Sequence, residues 1–388
     1  MMSKLYLDLS HLSAVPNAYQ ANSKDLVGFT GANIGNYAFR HALKSIVDGI
    51  EEYKPITNGD INSELAQEQP EKVIISCASW LSESVQYENS NGIRSTLFQK
   101  FNCPITSFGL GAQAPNDSTR ISLGPNTIRL ANILADKCQV LSVRDRFTAE
   151  VLADLGIKNT VVIGCPSNFI NLDQQLGQKI IEKAGRYHDD FGWGDIRTHI
   201  AEFSGGHEMS KSVLKATLQL LGKSSSFYII QSPDLFPFLL RETNEVHPLY
   251  QGNTPYKPGD VSAIRSLLKK KLLHFSSIDA WMDFARTCDL STGMRIHGNM
   301  VPLQAGVPSI IISHDSRTSG PTQIMGIPSI EPSQIRAISK TRPSTIFKLI
   351  AQKMQGYDTT RLKLTKFMTS FLQANNIQAT PSLHSFIN

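Results

Sequence analysis

The residues with the clearest chemical content lie in segment 288–307, CDLSTGMRIHGNMVPLQAGV, where an apolar strand ends at Ser291 and Thr292 and a helix begins around Gly293. Arg295 and His297 flank Ile296, so in an extended turn both polar side chains face one way while Ile296 packs behind them. A cation and a titratable imidazole then share one site. That pairing suits an anionic substrate in need of a proton, because the ordinary pKa of histidine lies nearest neutrality and a bound anion holds the imidazolium. A second cation emerges in segment 141–145, LSVRD, where Arg144 directly follows an apolar strand. The guanidinium fork matches carboxylate or phosphate, and a structural pair with Asp145 is the alternative.

Three further segments carry weaker signals. Segment 27–43, VGFTGANIGNYAFRHAL, reads as a short strand running through Gly31, Asn33, Gly35 and Asn36 into an amphipathic helix. Such a turn brings free backbone N–H groups to a helix start and favours an anion or polar group, although a purely structural turn fits the same residues. In segment 107–113, SFGLGAQ, a strand closes on two glycines and Gln113, whose amide both donates and accepts; a tight βα turn is the plainer reading. In segment 310–320, IIISHDSRTSG, a buried strand leads into His314, Asp315, Ser316 and Arg317, which a hydrogen-bonded loop explains equally well. GxSxG, HExxH, P-loop and kinase patterns are absent from the sequence, which removes support for hydrolase and ATPase chemistry.

The elements that must position these residues alternate in type. Strand-like runs at 72–77, 105–108, 139–143 and 160–163 sit between amphipathic stretches, a βαβ rhythm that predicts a parallel sheet. After GCPS at 164–167 comes a helical stretch at 174–184, then an aromatic, Gly-rich connection at 187–194 that marks a domain boundary. A second series follows at 199–203, 226–231, 272–275, 287–290 and 309–313. From 342 to 374 the pattern is helical, with Ile346, Leu349, Ile350 and Met354 at spacings of three and four, and is expected to pack back on the first domain. The expected class is α/β, with Rossmann-like domains over 1–190 and 195–335 facing a cleft, followed by helices over 336–388. Ligands in such folds bind at the carboxyl ends of the strands. Segment 245–260, dense in Pro, Gly and aromatic residues, reads as an ordered loop or lid.

Composition agrees with this plan. At 388 residues, 41% hydrophobic and 18% charged, the chain can bury two cores and is expected to fold throughout. Its apolar runs fall far short of the roughly 20 residues that span a bilayer. The N-terminus lacks an apolar signal region and a cleavage site, so a cytoplasmic location is expected. The five cysteines, Cys77, Cys103, Cys138, Cys165 and Cys288, are widely spread without a CxxC pair, which suggests neither disulfides nor a zinc site. A net charge of +5 is too weak for nucleic acid, and the densest basic run, 269–271, reads as a solvated helix face.

In order and spacing, GANIGN, FGLGAQ, SVRDRFTAEVLADLGI followed by GCPS, and STGMRIHGNMVPLQAGVPSI resemble the polysaccharide pyruvyl transferase family over about residues 27–330. The resemblance implies an architecture similar to two-domain (GT-B-like) glycosyltransferases, phosphoenolpyruvate as donor, and a sugar or glycan acceptor. It implies no cofactor, no metal and no nucleic acid, and association with membrane-bound polysaccharide assembly machinery. Arg144 matches the family's arginine after the fourth strand, and Arg295 and His297 match its RxH motif. By that likeness His297 is the general acid, and Arg144 and Arg295, with Gly293 and Ile296 of the same turn, bind the donor. Asn33, Gly35, Asn36, Gln113 and His314 are assigned to the acceptor side or the remaining cleft. Many relatives carry Asp where this chain has Asn36. The opening strand of the second domain, 198–203, lacks the usual GV start and runs into SGGHEM, where His207 and Glu208 either line the acceptor side or cap a helix. Two rival readings are a nucleotide-sugar-dependent glycosyltransferase of the same architecture and a non-catalytic glycan-binding or assembly protein. Retention of Arg144, Arg295 and His297 argues against the latter.

Overall fold

Runs such as KVIIS, ITSF and SIII are apolar on both faces, which is what parallel strands sandwiched between helix layers require. The computed structural model describes residues 3–7, 12–57, 69–114, 120–203, 208–223, 225–251, 260–335 and 340–387. In the first half the strands are β1 (Lys4–Leu7), β2 (Lys54–Ile56), β3 (Lys72–Ser76), β4 (Leu81–Ser82), β5 (Ile105–Phe108), β6 (Ala112–Gln113), β7 (Leu141–Val143) and β8 (Thr160–Val162). Strands β2-β1-β3-β5 form one parallel sheet, and a parallel bridge between Leu110 and Val143 continues it to the β7-β8 pair.

The second half contains β9 (Thr198–Ala201), β10 (Phe227–Ile229), β11 (Leu272–Leu273), β12 (Leu290–Gly293), β13 (Ser309–Ile312) and β14 (Ser329–Ile330). They form a parallel sheet in the order β11-β10-β9-β12-β13-β14, which is the strand order of a Rossmann fold. The chain is therefore an α/β protein built on two doubly wound sheets, as expected. The order reverses between β1 and β3 in the first sheet and between β9 and β12 in the second. The crevices at those switch points are where such sheets take ligands. The strand expected at 287–290 begins later, because the helix Ile278–Ala285 extends its last turn to Cys288, whose N–H donates to the Ala285 carbonyl at 2.8 Å.

The halves share a core. One hydrophobic cluster runs from Ile74 and Phe108 through Phe169 and Ile180 to Ile200, Ile229 and Leu290. The C-terminal helices clamp the connection between the sheets. Phe347 stacks on Tyr187 at 4.0 Å, and Phe371 meets Phe108 edge-on at 5.1 Å. Arg361, fully buried, donates to the carbonyls of Asp173 (2.8 Å) and Asn171. Of the segment expected to form a lid, 252–259 lies outside the described residues, while Asp260 caps the helix Val261–Lys271 by accepting from Ala263 N–H at 3.0 Å. His207 also lies outside them. No described helix is long and apolar enough to cross a membrane.

Two buried histidines make the fold sensitive to acid. Trp281 Nε1–H donates to His199 Nε2 at 2.8 Å, so that nitrogen must stay unprotonated. His274 packs edge-on against Phe236 at 4.6 Å. Burial pushes His199 down to about 3 and His274 down to about 4, from an ordinary 6.5. Between those values the unfolded chain binds more protons than the folded one. Stability should therefore be fully present above pH 6.5 and fall progressively toward pH 4, as measured by urea unfolding across that range. A flat profile would contradict the buried, neutral rings.

Candidate active site

The RxH turn is shaped by its neighbours. Gly293, the last residue of β12, has φ 145°, and a Cβ there would lie 2.1 Å from the Ala201 carbonyl oxygen, so only glycine lets β12 pass β9 this closely. Gly293 is thus packed against β9 and is not among the residues lining the cavity. Asn299 fixes the turn from behind. Its amide donates to the carbonyls of Gly293 (3.1 Å) and Arg295 (2.9 Å), and its oxygen accepts from Ser291 Oγ at 3.0 Å. Arg295 then caps the helix Ile296–Gln304, with His297 in its first turn.

These residues meet Arg144 across the cleft. His297, Arg144, Arg295, Ile296, His314 and Gln231 all line one cavity of about 100 Å³. Arg144 does not pair with Asp145, which instead caps the helix Arg146–Asp154 by accepting from Thr148 N–H at 2.7 Å. Its Nε and Nη2 donate to the carbonyls of Gly109 and Cys77, both at 2.8 Å, and the guanidinium sits 5.0 Å over the Phe39 ring. The same ring packs against His297 at 5.2 Å. Burial pushes the His297 pKa well below its ordinary value, and the Arg144 charge pushes it the same way, which favours the neutral ring.

A carboxylate stands behind the cations. Glu202, directly after β9 and fully buried, accepts from the N–H groups of Gln231 (2.9 Å) and Ser232 (2.7 Å) and lies 3.8 Å from Arg295 Nε. Burial raises its pKa against the pull of Arg295. Both amide atoms of Gln231, Glu202 Oε1 and both ring nitrogens of His314 lack a hydrogen bond. Burial also lowers the pKa of His314, with Asp315 Oδ2 at 3.6 Å pulling the other way. Polar atoms left unmatched in one buried place are what a ligand's own polar atoms would satisfy. A larger hollow of about 460 Å³ adjoins, sharing Asn33, Asn36 and Arg295 and walled by Trp80, Tyr87 and Ser90.

The first turn differs from expectation. Segment 27–43 is not a strand leading into a helix but two helices, Ser23–Thr30 and Asn36–His41, joined by a turn with Gly31 and Ala32 in the left-handed region. Its N–H groups are not free: Gly35 N–H donates to Asn33 Oδ1 at 2.9 Å, and those of Asn36 and Tyr37 donate to Asn33 and Ile34 carbonyls. Asn36 donates to the Thr30 carbonyl at 3.2 Å. Asn33 and Asn36 line the cavity, while Gly35 lies beneath Gln231 and His297, where a Cβ would meet them at 2.8 and 3.0 Å. Gln113, in β6 beside Ser82, lines neither the cavity nor the adjoining hollow.

Phe39, Glu202, Gln231 and Asn299 were not singled out by sequence. Glu202 and Gln231 each follow a strand's carboxyl end, a positional signal that could have found them; Phe39 sits in an apolar helical pattern that gives none. Among the described residues no three His, Cys, Asp or Glu side chains cluster as a metal site. Because Arg144 holds the His297 pKa down, Arg144→Met should raise it, read by NMR titration of the His297 ring; an unmoved titration would contradict the electrostatic coupling.

No curated protein matches the chain in sequence. Among solved structures it is similar to Anabaena HepE in complex with UDP-glucose, at 12% identity over 95% of this chain and 100% of that one, with a TM-score of 0.44. It is also similar to S. aureus MnaA with UDP, at 10% identity over 96% and 98% of the two chains, with a TM-score of 0.45. Likeness this distant carries neither protein's ligand over. The sequence profile of the polysaccharide pyruvyl transferases, by contrast, matches residues 33–316, from the first turn through Arg144, Arg295 and His297 to the loop beyond His314. With most of its length matched, the chain belongs to the polysaccharide pyruvyl transferase family and is a transferase.

Proposed function

We propose that the protein transfers the pyruvyl group of phosphoenolpyruvate onto two hydroxyls of a sugar or glycan, forming a cyclic ketal and releasing phosphate. The observation that carries this reading is the meeting of Arg144, Arg295 and His297 on one small cavity. Two guanidinium groups suit the carboxylate and phosphate of the donor. Negative charge held beside the ring offsets the Arg144 charge and lets His297 take up a proton. The imidazolium protonates the methylene carbon, and an acceptor hydroxyl adds at the adjoining carbon and loses its proton. The carbon–oxygen bond to phosphate then breaks, the arginines offset the charge on the departing group, and the second hydroxyl closes the ketal. The two hydroxyl protons balance the one delivered to carbon and the one that leaves with phosphate.

The hollow walled by Trp80, Tyr87 and Ser90 suits the acceptor, with Asn33, Asn36 and neutral His314 at its border with the donor. The chemistry needs no cofactor. We place the enzyme in the cytoplasm, where its five free cysteines stay reduced, acting beside the membrane machinery that assembles polysaccharide.

A ligand that binds only the folded state raises its apparent stability. Phosphoenolpyruvate should therefore raise the melting temperature, while UDP- and GDP-sugars should not. A shift with nucleotide-sugars alone would make the protein a glycosyltransferase, and binding of glycans without turnover would make it an assembly protein. His297→Gln should lower kcat by about 10²- to 10⁴-fold, the usual worth of a positioned acid, with donor binding weakened far less than turnover. Arg144→Ala and Arg295→Ala should weaken donor binding as well. Unchanged turnover in the His297 variant would remove it as the acid.

A further inference from the structure

The GCPS segment, residues 164–167, has no part in the chemistry above, yet it touches the acid. Cys165 is buried, and its Sγ lies 3.3 Å from His297 Nε2 across 132 residues of chain. Ser167 Oγ–H donates to the same sulfur at 3.1 Å. The sulfur is itself held in place: Cys165 leads into the helical turn Pro166–Phe169, Asn168 N–H donates to the Cys165 carbonyl at 3.0 Å, and Tyr357 Oη–H anchors Asn168 Oδ1 at 2.8 Å. Phe39 packs against the ring. With Nε2 engaged, Nδ1 is the nitrogen left without a hydrogen bond among the described residues, on a ring that lines the cavity.

We infer that Cys165 is a positioning residue: its sulfur holds His297 Nε2 and so makes Nδ1 the nitrogen that faces the cavity and delivers the proton. A thiol both donates and accepts, which suits a ring that cycles. At rest, Ser167 donates to the sulfur, and the S–H donates to Nε2, placing the proton of the neutral ring on Nδ1. In the imidazolium, Nε2–H donates back to the sulfur. When Nδ1–H is given to carbon, the ring is left neutral with its proton on Nε2 and a lone pair on Nδ1, ready to accept a proton from an acceptor hydroxyl. The sulfur keeps its own proton throughout and no oxidant is involved.

The rate prediction rests on the pyruvyl-transfer reading; the ring prediction does not. Outer partners that orient an imidazole typically affect activity by about 10- to 100-fold. Cys165→Ala should lower kcat by that amount and displace its pH profile, with phosphoenolpyruvate affinity unchanged. Cys165→Ser, which keeps a donor and acceptor, should restore most of the rate. Equal turnover of Cys165→Ala and wild type, or equal impairment of the Ser and Ala variants, would overturn the assignment. Independently, ¹⁵N NMR of the ligand-free protein should show the neutral His297 proton on Nδ1 in wild type and a changed tautomer balance in Cys165→Ala. Should Cys165→Ala fail to fold, the Ser variant and the wild-type spectrum remain decisive. A wild-type ring with its proton on Nε2, or ring signals unmoved by substitution, would overturn the inference. Wild type that never turns over phosphoenolpyruvate would instead defeat the pyruvyl-transfer reading and leave the spectrum to judge Cys165.

Discussion

A guanidinium and an imidazole are buried against one phenylalanine ring, close enough that the cation disfavours a second charge on the imidazole. Arg144 is fixed by backbone carbonyls, and burial of His297, together with the Arg144 guanidinium close by, pushes the pKa of the ring well below its ordinary value. On the proposed pyruvyl-transfer reading, binding and acid activation become one event: the anionic donor supplies the charge that lets the ring hold a proton. An imidazole that was protonated at rest would gain nothing from its substrate.

Holding this arrangement requires both sheets. Arg144 follows β7 of the first, and Arg295 and His297 follow β12 of the second, where strand order reverses beside β9. Contacts across the cleft keep the two in register. Ile34 N–H donates to the Gln231 carbonyl at 3.2 Å, while Ser316 N–H and Oγ exchange hydrogen bonds with Ala114 at 3.2 and 2.8 Å. The shared core and the returning C-terminal helices add packing to these polar ties. Glu202 contributes differently, as a buried acid behind Arg295 that is stabilised by two backbone N–H groups and balances part of the cationic charge.

Much of this was legible in sequence, for identifiable reasons. Short apolar runs that end just before Arg144 and the RxH turn mark buried strands, and strand ends in α/β sheets point to a cleft. Segment 27–43 was misread because Val27, Phe29 and Thr30 have strand-like composition; the Asn22 capping box, which starts the helix Ser23–Thr30, overrides it. The need for glycine at 293 was not legible, since it comes from the close passage of β9. The neutral state of His297 was not legible, since it depends on burial and on a cation 153 positions away in the chain. Phe39 shares that limit: nothing local distinguishes a ring that packs against two functional groups from one that fills a core.

The central claim is that anion binding protonates His297. Isothermal titration calorimetry with phosphoenolpyruvate at pH 7.5, run in buffers of different ionisation enthalpy, counts the protons taken up. The account predicts uptake of about one proton per site in wild type and none in His297→Gln, with binding retained in both. Binding without proton uptake in wild type, or uptake undiminished in the variant, would contradict it.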